Sequence, residues 1–519
     1  MQRSAVVARS LTAASSNAAA SPNAAASPNA PASPNTAAIS DPDASVGSPR
    51  HFHVVIDSPH WSKLRESIPM LYKAHADAHM PRLRHRSNVE LLQGHVRALL
   101  NDSKFTSHEN MRPNLSRLEN SDYTSVIKNG LPETRNCKTV VVVGAGLAGL
   151  SAARELTRAG HEVIMVEAQS RVGGRCKTVA EPYFAPNLYG EAGGMRFPPT
   201  HKLMMTYISN FGLRTAPFAN MKDSRSGLFH MPSLFGDQPV AIGDVLDDPS
   251  SLVARVQKRW AETIHDLKAS FQEGGGKAWE EMVRKFRSYS FLDFLVERGW
   301  EPELLNGISK FGLGMGGYGS ILGISFLEML RLFVLDDDCD NLQVVGGMES
   351  LARAFLFADD APLTELIRYG TKVAGVRQRA CGGLLVKCES IGTMLTSEVA
   401  CDFVVMTAAL PMCRLMRFEP QLSHDKQCAI NEVHYTSSSK VFLQCRSRFW
   451  ERRGVKGMAV SETLCKNTYF LPAFEGSDRG VILASYVWER DADLFLGLTH
   501  SERIRRAVDD LATFLPEVR

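Results

Sequence analysis

The sequence lacks several features that identify particular classes of protein. No uninterrupted apolar stretch reaches the ~18 residues of a membrane-spanning helix, so we expect no membrane span. The ten cysteines form no C-x-x-C pair and no metal-ligand spacing, which favours reduced structural thiols over a metal site. The net charge of +3 is small, and no cluster of Lys and Arg with interleaved aromatic residues suggests a nucleic-acid partner.

The composition is that of a globular protein except at the N-terminus. The 519 residues, 44% hydrophobic and 22% charged, suffice for two or three domains with a large core. Residues 17–34 instead repeat the unit N-A-A-A-S-P three times, with Pro31 in place of one alanine. Such a segment buries too little apolar surface to offset the entropy of ordering it, so residues 1–50 are predicted to be a disordered tail.

The first residues of this tail have the composition of a targeting sequence. Residues 1–16 carry Arg3 and Arg9 among several Ser and Ala, and no acidic residue occurs before Asp41. This composition suits a transit peptide for an organelle, a mitochondrion or a plastid. A tail without a targeting function is an equal alternative, so a cytoplasmic location stays open.

Residues 51–137 are predicted to form a helical extension that packs on the later domains. Ser87 and Glu90 have the spacing of a capping box, and Val89, Leu92 and Val96 follow at helical intervals. The segment contains no set of residues arranged for chemistry.

A nucleotide-binding motif begins at residue 138. The β-branched run Thr139–Val143 predicts a buried parallel strand, and Gly144, Gly146 and Gly149 follow it in G-x-G-x-x-G spacing. The first glycine allows a tight turn. The second lets the backbone, including Ala145, approach a pyrophosphate, and the third lets the next helix pack closely on the strand.

The residues after the glycines complete this unit. Residues 147–159 are rich in Ala, Leu, Arg and Glu and predict a helix, with Gly160 at its C-terminal cap. A second predicted strand, Glu162–Val166, leads to Glu167 and Ala168. Glu167 stands about 20 residues beyond the glycines, where a carboxylate accepts hydrogen bonds from a ribose. The sequence therefore predicts a dinucleotide-binding unit.

The segment after Glu167 resembles flavoproteins of the amine oxidase family. Residues 171–175 read R-V-G-G-R, like the R-x-G-G-R segment in which the backbone and the second arginine approach the FAD pyrophosphate. The resemblance gives these roles to Gly174 and Arg175. An arginine also suits the role chemically, because it forms charge-assisted hydrogen bonds to phosphate. FAD is therefore the expected cofactor.

Residues 189–201 and 207–213 resemble the L-amino acid oxidases of this family. They match the G-x-M-R-x-P…H…F-G-L block, in which the glycine and methionine run along the flavin and the arginine binds the substrate carboxylate. These roles fall on Gly194, Met195 and Arg196. The planar fork of an arginine holds a carboxylate by two parallel hydrogen bonds. A structural ion pair is the alternative role for Arg196.

Residues 226–335 are predicted to be a helical insertion on the substrate side. Residues 312–331 resemble bacterial amino acid oxidases and tryptophan or phenylalanine monooxygenases. A second G-x-G-x-x-G pattern at 314–319 lacks a preceding strand and a ribose acid, and we interpret it as a loop. A long helix is predicted to end at the glycines 274–276, from an apolar stripe of Leu252, Val256, Trp260, Ile264, Leu267 and Phe271.

The chain then returns to the predicted cofactor domain. Residues 344–348 resemble the return segment of the family, and 371–379 with 383–388 predict a β-hairpin. Val373 matches a position whose backbone receives adenine in relatives. Residues 403–407 predict a further buried strand.

Two segments near the C-terminus supply the remaining candidate residues. Residues 434–443 resemble the H-Y…K-[IV]-F-L strand of the family, whose lysine holds a water against flavin N5, so Lys440 inherits that role. Residues 484–488 match a strand whose tyrosine hydroxyl binds the substrate carboxylate, which assigns this role to Tyr486 and the wall of the side-chain pocket to Trp488. From the residues alone, a solvated lysine and a pair of core aromatic residues are the alternatives.

The resemblance covers residues 139–519 and implies an α/β fold, α+β overall. A Rossmann-like FAD-binding domain takes residues 138–225, with the entry to the substrate domain, and 336–415. The helical insertion lies between them, and a mixed-sheet substrate-binding domain takes residues 416–519. Relatives continue past the position of Arg519 through a strand and a G-E…G-[AW] block, so we expect this domain to be truncated.

The function implied is FAD-dependent oxidation of an L-amino acid by oxygen to a 2-oxo acid, ammonia and hydrogen peroxide. Three alternatives stay open: an amino acid 2-monooxygenase that forms an amide, an amine oxidase, and a truncated non-catalytic flavin-binding form. Arg196 argues against an amine, which has no carboxylate. An L-amino acid and oxygen are the expected small-molecule partners, and a homodimer is left open.

Overall fold

The structure, a computed structural model, describes residues 7–11, 121–218, 224–313, 318–336 and 341–519. The predicted low-complexity repeat, the capping box at Ser87 and most of the predicted helical extension lie outside these ranges. So do Gly314 and Gly316 of the second glycine pattern, whereas Gly319 begins a short 3-10 turn.

The described chain contains both strands and helices, and several of each follow one another without a change of type. The strands are β1 Val7–Leu11, β2 Thr139–Val143, β3 Glu162–Val166, β4 Thr178–Val179, β5 Gly190–Glu191, β6 Thr215–Pro217, β7 Leu228–His230, β8 Val240–Ala241, β9 Leu342–Val344, β10 Ile367–Arg368, β11 Thr371–Gln378, β12 Leu384–Ser390, β13 Thr396–Cys401, β14 Phe403–Met406, β15 Arg417–Glu419, β16 Ser438–Cys445, β17 Gly457–Ser461, β18 Asn467–Phe470 and β19 Gly480–Trp488.

The helices vary from a single turn to 35 residues. They are α1 Ser121–Asn129, α2 Leu147–Arg158, α3 Lys202–Asn210, α4 Pro232–Phe235, α5 Ile242–Asp247, α6 Leu252–Phe286, α7 Phe291–Glu297, α8 Pro302–Phe311, α9 Phe326–Asp336, α10 Glu349–Ala354, α11 Leu410–Cys413, α12 His424–Glu432, α13 Phe449–Arg452, α14 Glu489–Leu496 and α15 His500–Ala512. Within the described ranges, none of these helices combines the length and the apolar character that crossing a membrane requires.

A four-stranded parallel sheet has the order β10-β3-β2-β14. Strands β2 and β3 pair along their whole length, and α2 connects them, as a parallel pair requires. Leu150 and Ala153 of α2 are fully buried against this sheet. Gly160 follows the helix with a φ of +85°, as expected of a C-terminal cap. The predicted Rossmann-like unit is therefore confirmed.

Strand β14 differs from the buried strand predicted at 403–407. It lies at the edge of the parallel sheet, next to β2, and Phe403 is 57% exposed while the other three residues are partly buried. A short apolar run has the same sequence pattern at the edge of a sheet as at its centre, so the pattern could not distinguish the two positions.

The predicted hairpin is present as β11 and β12, in a second sheet with the order β13-β12-β11-β15. This sheet shares a core with the parallel sheet, in which Val373 and Val386 pack with Val141 and Val143. The shared core fixes β11 beside the end of β3, next to Glu167.

A seven-stranded mixed sheet has the order β1-β16-β19-β18-β17-β7-β8. Its neighbours are antiparallel except for β17 and β7. Phe442 and Leu483 pack toward the helical region, whereas Leu443 and Ile482 pack with α14 and α15. This is the predicted mixed sheet, although two of its strands, β7 and β8, come from the segment that was predicted to be helical. The prediction of a disordered tail is wrong for residues 7–11, because β1 pairs with the main chain of β16, a long-range pairing that composition does not indicate.

Helix α6 is longer than the sequence predicted. It continues through the glycines at 274–276, where we expected its end. Each glycine costs about 1 kcal/mol of helix propensity. Beyond the glycines, however, the apolar stripe resumes with Ala278, Met282 and Phe286, all of which are buried. Packing of this stripe outweighs the local preference of the glycines.

Candidate active site

The glycine motif forms a sharp turn between β2 and α2. Gly144 has a φ of +103°, and its N–H donates to the Val166 carbonyl over 2.8 Å. A Cβ atom on Gly149 would lie 1.9 Å from the Gly144 carbonyl oxygen, so this approach of helix to strand requires glycine. Gly146 has no atom within 4 Å of its Cβ position, which leaves that side of the turn open. The open side lies at the N-terminus of α2, a favourable place for phosphate.

Glu167 lies buried at the end of β3, beside this turn. Its Oε2 accepts a hydrogen bond from Ala145 N and its Oε1 accepts one from Gln169 N, both over 2.7 Å. Ala168, between the two, is exposed. An ionised carboxylate offers about four acceptor positions, so these contacts leave capacity for ribose hydroxyls. The carboxylate therefore fixes the turn and fits the predicted ribose role.

Strand β11 begins next to Glu167, with Thr371 N donating to the Glu167 carbonyl over 3.0 Å. Two residues further on, Val373 is 7% exposed and packs with Val166. The ladder between β11 and β12 is irregular after Val373, which leaves Ala374 outside the regular pairing. This irregular backbone begins three residues after Thr371, which is hydrogen-bonded to Glu167, and its position fits the predicted adenine contact.

We expect Glu167→Ala to weaken FAD retention by about 1.5–3 kcal/mol, the usual value of a hydrogen bond to a charged group. FAD content after dialysis, read from flavin absorbance, measures the loss. Glu162→Ala is the matched control, because Glu162 is an exposed acid at the other end of the same strand. Equal FAD contents for the two variants would contradict the ribose assignment.

The R-V-G-G-R segment wraps around the glycine turn. Gly173 N donates to the Ala145 carbonyl over 2.8 Å, and a Cβ on Gly174 would lie 3.4 Å from Gly146 Cα. Arg171 donates to three carbonyl oxygens in and just after this loop, over 2.7 to 3.3 Å. Sequence reasoning missed this use of Arg171, which holds the shape of the loop.

Arg175 is the exposed cation of this loop. Its guanidinium carbon lies 5.8 Å from the ring centroid of Tyr435, within reach of a cation–π interaction. The Tyr435 hydroxyl in turn accepts from Leu410 N over 3.2 Å. Tyr435 therefore connects Arg175 to the residues after β14, a contact that the sequence did not predict. The exposed arginine, the open glycine and the spare acceptors of Glu167 together fit the phosphates and ribose of FAD.

The G-G-M-R segment begins against this loop and leads to the seven-stranded sheet, where it contacts Lys440 and Tyr469. A Cβ on Gly193 would lie 1.9 Å from the Arg175 carbonyl oxygen, and Gly194 N donates to the same oxygen over 3.0 Å. Gly194 has no atom within 4 Å of its Cβ position, whereas Met195 is buried. The backbone at Gly194 therefore presents an open surface, as the predicted approach of the flavin ring requires.

Lys440 is only 3% exposed and lies against the same segment. Its Nζ donates to the carbonyl oxygens of Glu191 and Gly193 over 2.8 and 2.7 Å. Burial lowers the pKa of Lys440 to about 7, the Glu191 carboxylate acts to raise it, and the Arg196 cation lowers it further. The alternative of a solvated lysine is therefore wrong.

Strands β16 and β19 place Lys440 and Tyr486 directly opposite one another. The Nζ of Lys440 lies 4.5 Å from the Tyr486 ring centroid, and the ring centroids of Tyr486 and Trp488 are 4.7 Å apart. Burial raises the pKa of Tyr486, so its hydroxyl stays a neutral donor over the physiological range. The three candidate residues from the two C-terminal segments thus form one cluster.

An irregularity in this ladder determines which residues of β19 face the cluster. Successive residues of β16 pair with Ser485 and then with Leu483, so Ala484 is an extra residue, a β-bulge. Ala484 lies in the core on the side of α14 and α15. Leu483 and Tyr486 border the opposite, helical side, although residues three apart in a regular strand face opposite ways.

Aromatic side chains surround Arg196. Its Nη1 donates to the Tyr469 hydroxyl over 3.4 Å, and its guanidinium carbon lies 5.3 Å from the Phe218 ring centroid. Burial acts to lower the pKa of Arg196, but Tyr469, Tyr486 and Tyr318 together raise it above its usual value. The site therefore favours a cation at this position, where a carboxylate is expected to bind.

Three of these aromatic residues, Phe218, Tyr318 and Tyr469, were not among the predicted site residues. Tyr318 belongs to the segment 312–331 that resembles bacterial oxidases, but the glycines around it drew attention to the loop instead. Tyr469 lies on β18 opposite Leu483. Tyr469 reaches Arg196 only through the order of strands in the sheet. The sequence around Tyr469 therefore does not indicate this contact.

Comparison with known proteins agrees with this architecture. The model of the family "Flavin containing amine oxidoreductase" matches residues 147–519. An L-amino-acid oxidase of Echis ocellatus is 30% identical over 404 residues, 76% of this chain and 76% of the relative. One from Daboia russelii is 30% identical over 407 residues, again 76% of each chain.

Solved structures of lower identity share the fold. A putrescine oxidase bound to putrescine has a TM-score of 0.57 and 21% identity, and the match covers 74% of this chain and 83% of that one. The cyclohexylamine oxidase of Brevibacterium oxydans IH-35A has a TM-score of 0.57 and 18% identity, with 74% and 82% covered. The extent of the family match decides the assignment: this chain belongs to the flavin-containing amine oxidoreductases and is an FAD-dependent oxidoreductase.

Proposed function

We propose that the protein oxidises L-amino acids to 2-oxo acids. The observation that carries this proposal is the position of Arg196, a cation set among Tyr469, Tyr486 and Phe218, close enough to Lys440 to lower its pKa. A fixed cation beside an apolar, aromatic wall suits a substrate with a carboxylate and a larger side chain. The similarity to L-amino-acid oxidases supports the same substrate class.

In this proposal each side chain acts on a different part of the substrate. Arg196 holds the carboxylate through two parallel hydrogen bonds, and the Tyr486 hydroxyl donates a third. Trp488 packs against the substrate side chain, since it lies beside Tyr486 on the same face. Lys440, held by two main-chain carbonyls, keeps a polar group at a buried position where a water can be bound and oriented.

FAD, held by the open turn at Gly146, by Glu167 and by Arg175, would supply the electron chemistry, as an acceptor of hydride from the substrate Cα and a donor of electrons to oxygen. The protein orients the Cα and excludes bulk water during that step. The oxidised substrate is an imino acid, which water hydrolyses to a 2-oxo acid and ammonia. One amino acid, one oxygen and one water thus give one 2-oxo acid, one ammonium ion and one hydrogen peroxide.

Product analysis tests this proposal against the alternatives. The purified protein with bound FAD is incubated with a panel of L-amino acids and with phenethylamine, and peroxide, ammonia, amide and carbon dioxide are measured. We expect equal amounts of peroxide and ammonia from at least one L-amino acid and much less from the amine. D-amino acids provide the control, because Arg196 and the flavin face fix the hand of the substrate.

Other outcomes would each overturn the proposal in a defined way. Amide with carbon dioxide indicates an amino acid 2-monooxygenase, and preferred turnover of phenethylamine indicates an amine oxidase. A flavin spectrum without turnover of any substrate indicates a non-catalytic flavin-binding protein.

A further inference from the structure

Glu191 is an acid inside the site for which the proposed function has no role. It lies on β5, which pairs with β4 through Thr178, and its main-chain oxygen is one of the two acceptors of the Lys440 ammonium. The other acceptor, the Gly193 carbonyl, follows two residues later. The position of Lys440 therefore depends on how the backbone at Glu191 is held.

The side chain of Glu191 holds that backbone from the other direction. Its Oε1 accepts from Met348 N over 2.7 Å, and its Oε2 accepts from the Thr178 hydroxyl over 3.0 Å. Thr178 is itself fixed, because Glu349 N donates to its hydroxyl over 3.1 Å and Thr178 N donates to the Glu349 carboxylate over 3.3 Å. The Glu191 carboxylate thus joins three segments at the end of β5.

Electrostatics couple the same carboxylate to Lys440. Burial raises the pKa of Glu191 to about 7, whereas the hydrogen bonds from Met348 and Thr178 and the charge of Lys440 act to lower it. The Glu191 charge in turn acts to raise the pKa of Lys440. The other titratable or charged groups that act on this pair, or respond to it, are Glu349, Cys176, Tyr189, Arg196 and Tyr486.

We propose that Glu191 is a positioning residue for Lys440: the Glu191 carboxylate fixes the two carbonyls that hold the ammonium and places an opposite charge beside it. The inference rests on the proposed place of Lys440 in the substrate site. The negative charge of Glu191 offsets the free-energy cost of burying the Lys440 cation next to Arg196. Loss of that charge should release the proton from Lys440 at a lower pH.

The test is a pH titration of Lys440 in the FAD-loaded protein by NMR, with lysine carrying carbon-13 at Cε. The signal of Lys440 is identified by its absence in Lys440→Met. In Glu191→Gln, which keeps the shape and an acceptor oxygen, we expect the midpoint to fall by about one pH unit or more, the usual effect of removing a close opposite charge. This corresponds to at least about a tenfold loss of proton affinity.

Two further variants sharpen the result. Glu349→Gln removes a like charge that raises the pKa of Glu191, so it should not lower the Lys440 midpoint. Thr178→Val removes one hydrogen bond to Glu191 and should lower the Lys440 midpoint by less than Glu191→Gln does. If Glu191→Gln does not fold, the Lys440 midpoint of Thr178→Val tests the inference instead.

An unchanged Lys440 midpoint in Glu191→Gln, or in Thr178→Val where only that variant folds, would overturn the inference. An equal fall in Glu349→Gln would also overturn it, because the effect would then not be specific to Glu191. The titration needs no turnover. If the midpoint shifts in a protein without oxidase activity, the inference about Glu191 is supported and the proposed function is wrong. If the protein is an active oxidase and the midpoint does not shift, the proposed function is supported and the inference is wrong.

Discussion

Gly149→Ala is expected to destabilise the apoprotein by at least about 3 kcal/mol, the upper range for overpacking a tight contact. The added Cβ would stand 1.9 Å from the Gly144 carbonyl oxygen and 2.9 Å from Thr407 Oγ1. Gly144 cannot easily retreat, because its N–H is bonded to the Val166 carbonyl at one end of the turn. The helix must therefore move off the strand. Chemical denaturation of the FAD-free protein measures the loss.

Gly146→Ala separates this packing effect from cofactor binding. No atom lies within 4 Å of its Cβ position, and its φ of −75° suits any residue, so the apoprotein should be as stable as the wild type. Its open side is nevertheless where the pyrophosphate is expected to approach, so FAD content should fall sharply. Wild-type stability of Gly149→Ala, or wild-type FAD content of Gly146→Ala, would show that the turn is used differently.

Arg196→Lys is expected to lower kcat/KM for L-phenylalanine by about 10- to 100-fold, the equivalent of one strong hydrogen bond to a charged group. Lysine keeps the positive charge but loses the planar fork that binds a carboxylate at two points. Any activity toward phenethylamine, which has no carboxylate, should change much less. Steady-state oxygen consumption with both substrates gives the comparison.

Arg255→Lys provides the matched control for this prediction. Arg255 is also a bidentate arginine, donating to the two oxygens of Glu303 over 3.0 and 2.8 Å, but it lies on the exposed surface of the helical region. Its replacement should leave both substrates unaffected. Equal losses for the amino acid and the amine in Arg196→Lys would mean that Arg196 acts on something other than the carboxylate.

The cofactor unit could be predicted from sequence because its determinants are local. The strand, the three glycines, the helix and Glu167 follow one another within 29 residues, and each has a pattern tied to its own backbone geometry. The structure places Glu167 within hydrogen-bond distance of Ala145 N because the connecting helix returns the chain to the neighbouring strand. Nothing distant in sequence is needed for this arrangement.

The region around Arg196 and Lys440 could be predicted less well, because segments distant in the sequence form it. Lys440 and Tyr486 were found by resemblance, but their pairing depends on strand register and on the bulge at Ala484. Tyr469 reaches Arg196 through the order of strands in the sheet. The end of α6 was mispredicted for the same reason, since local glycines were weighed without the tertiary packing that overrides them.

The bulge at Ala484 also determines where a gap belongs when the sequences of relatives are aligned along β19. Insertion or deletion of one residue in the regular part of β19 would exchange the two faces of the strand from that point on. It would thereby turn Tyr486 and Trp488 away from Lys440. Removal of the extra residue itself restores simple alternation and leaves both aromatic residues where they are. A one-residue gap between relatives in this strand therefore belongs at the bulge and not at the tyrosine. An alignment that places it at Tyr486 or beyond would assign the proposed carboxylate contact to the wrong residue.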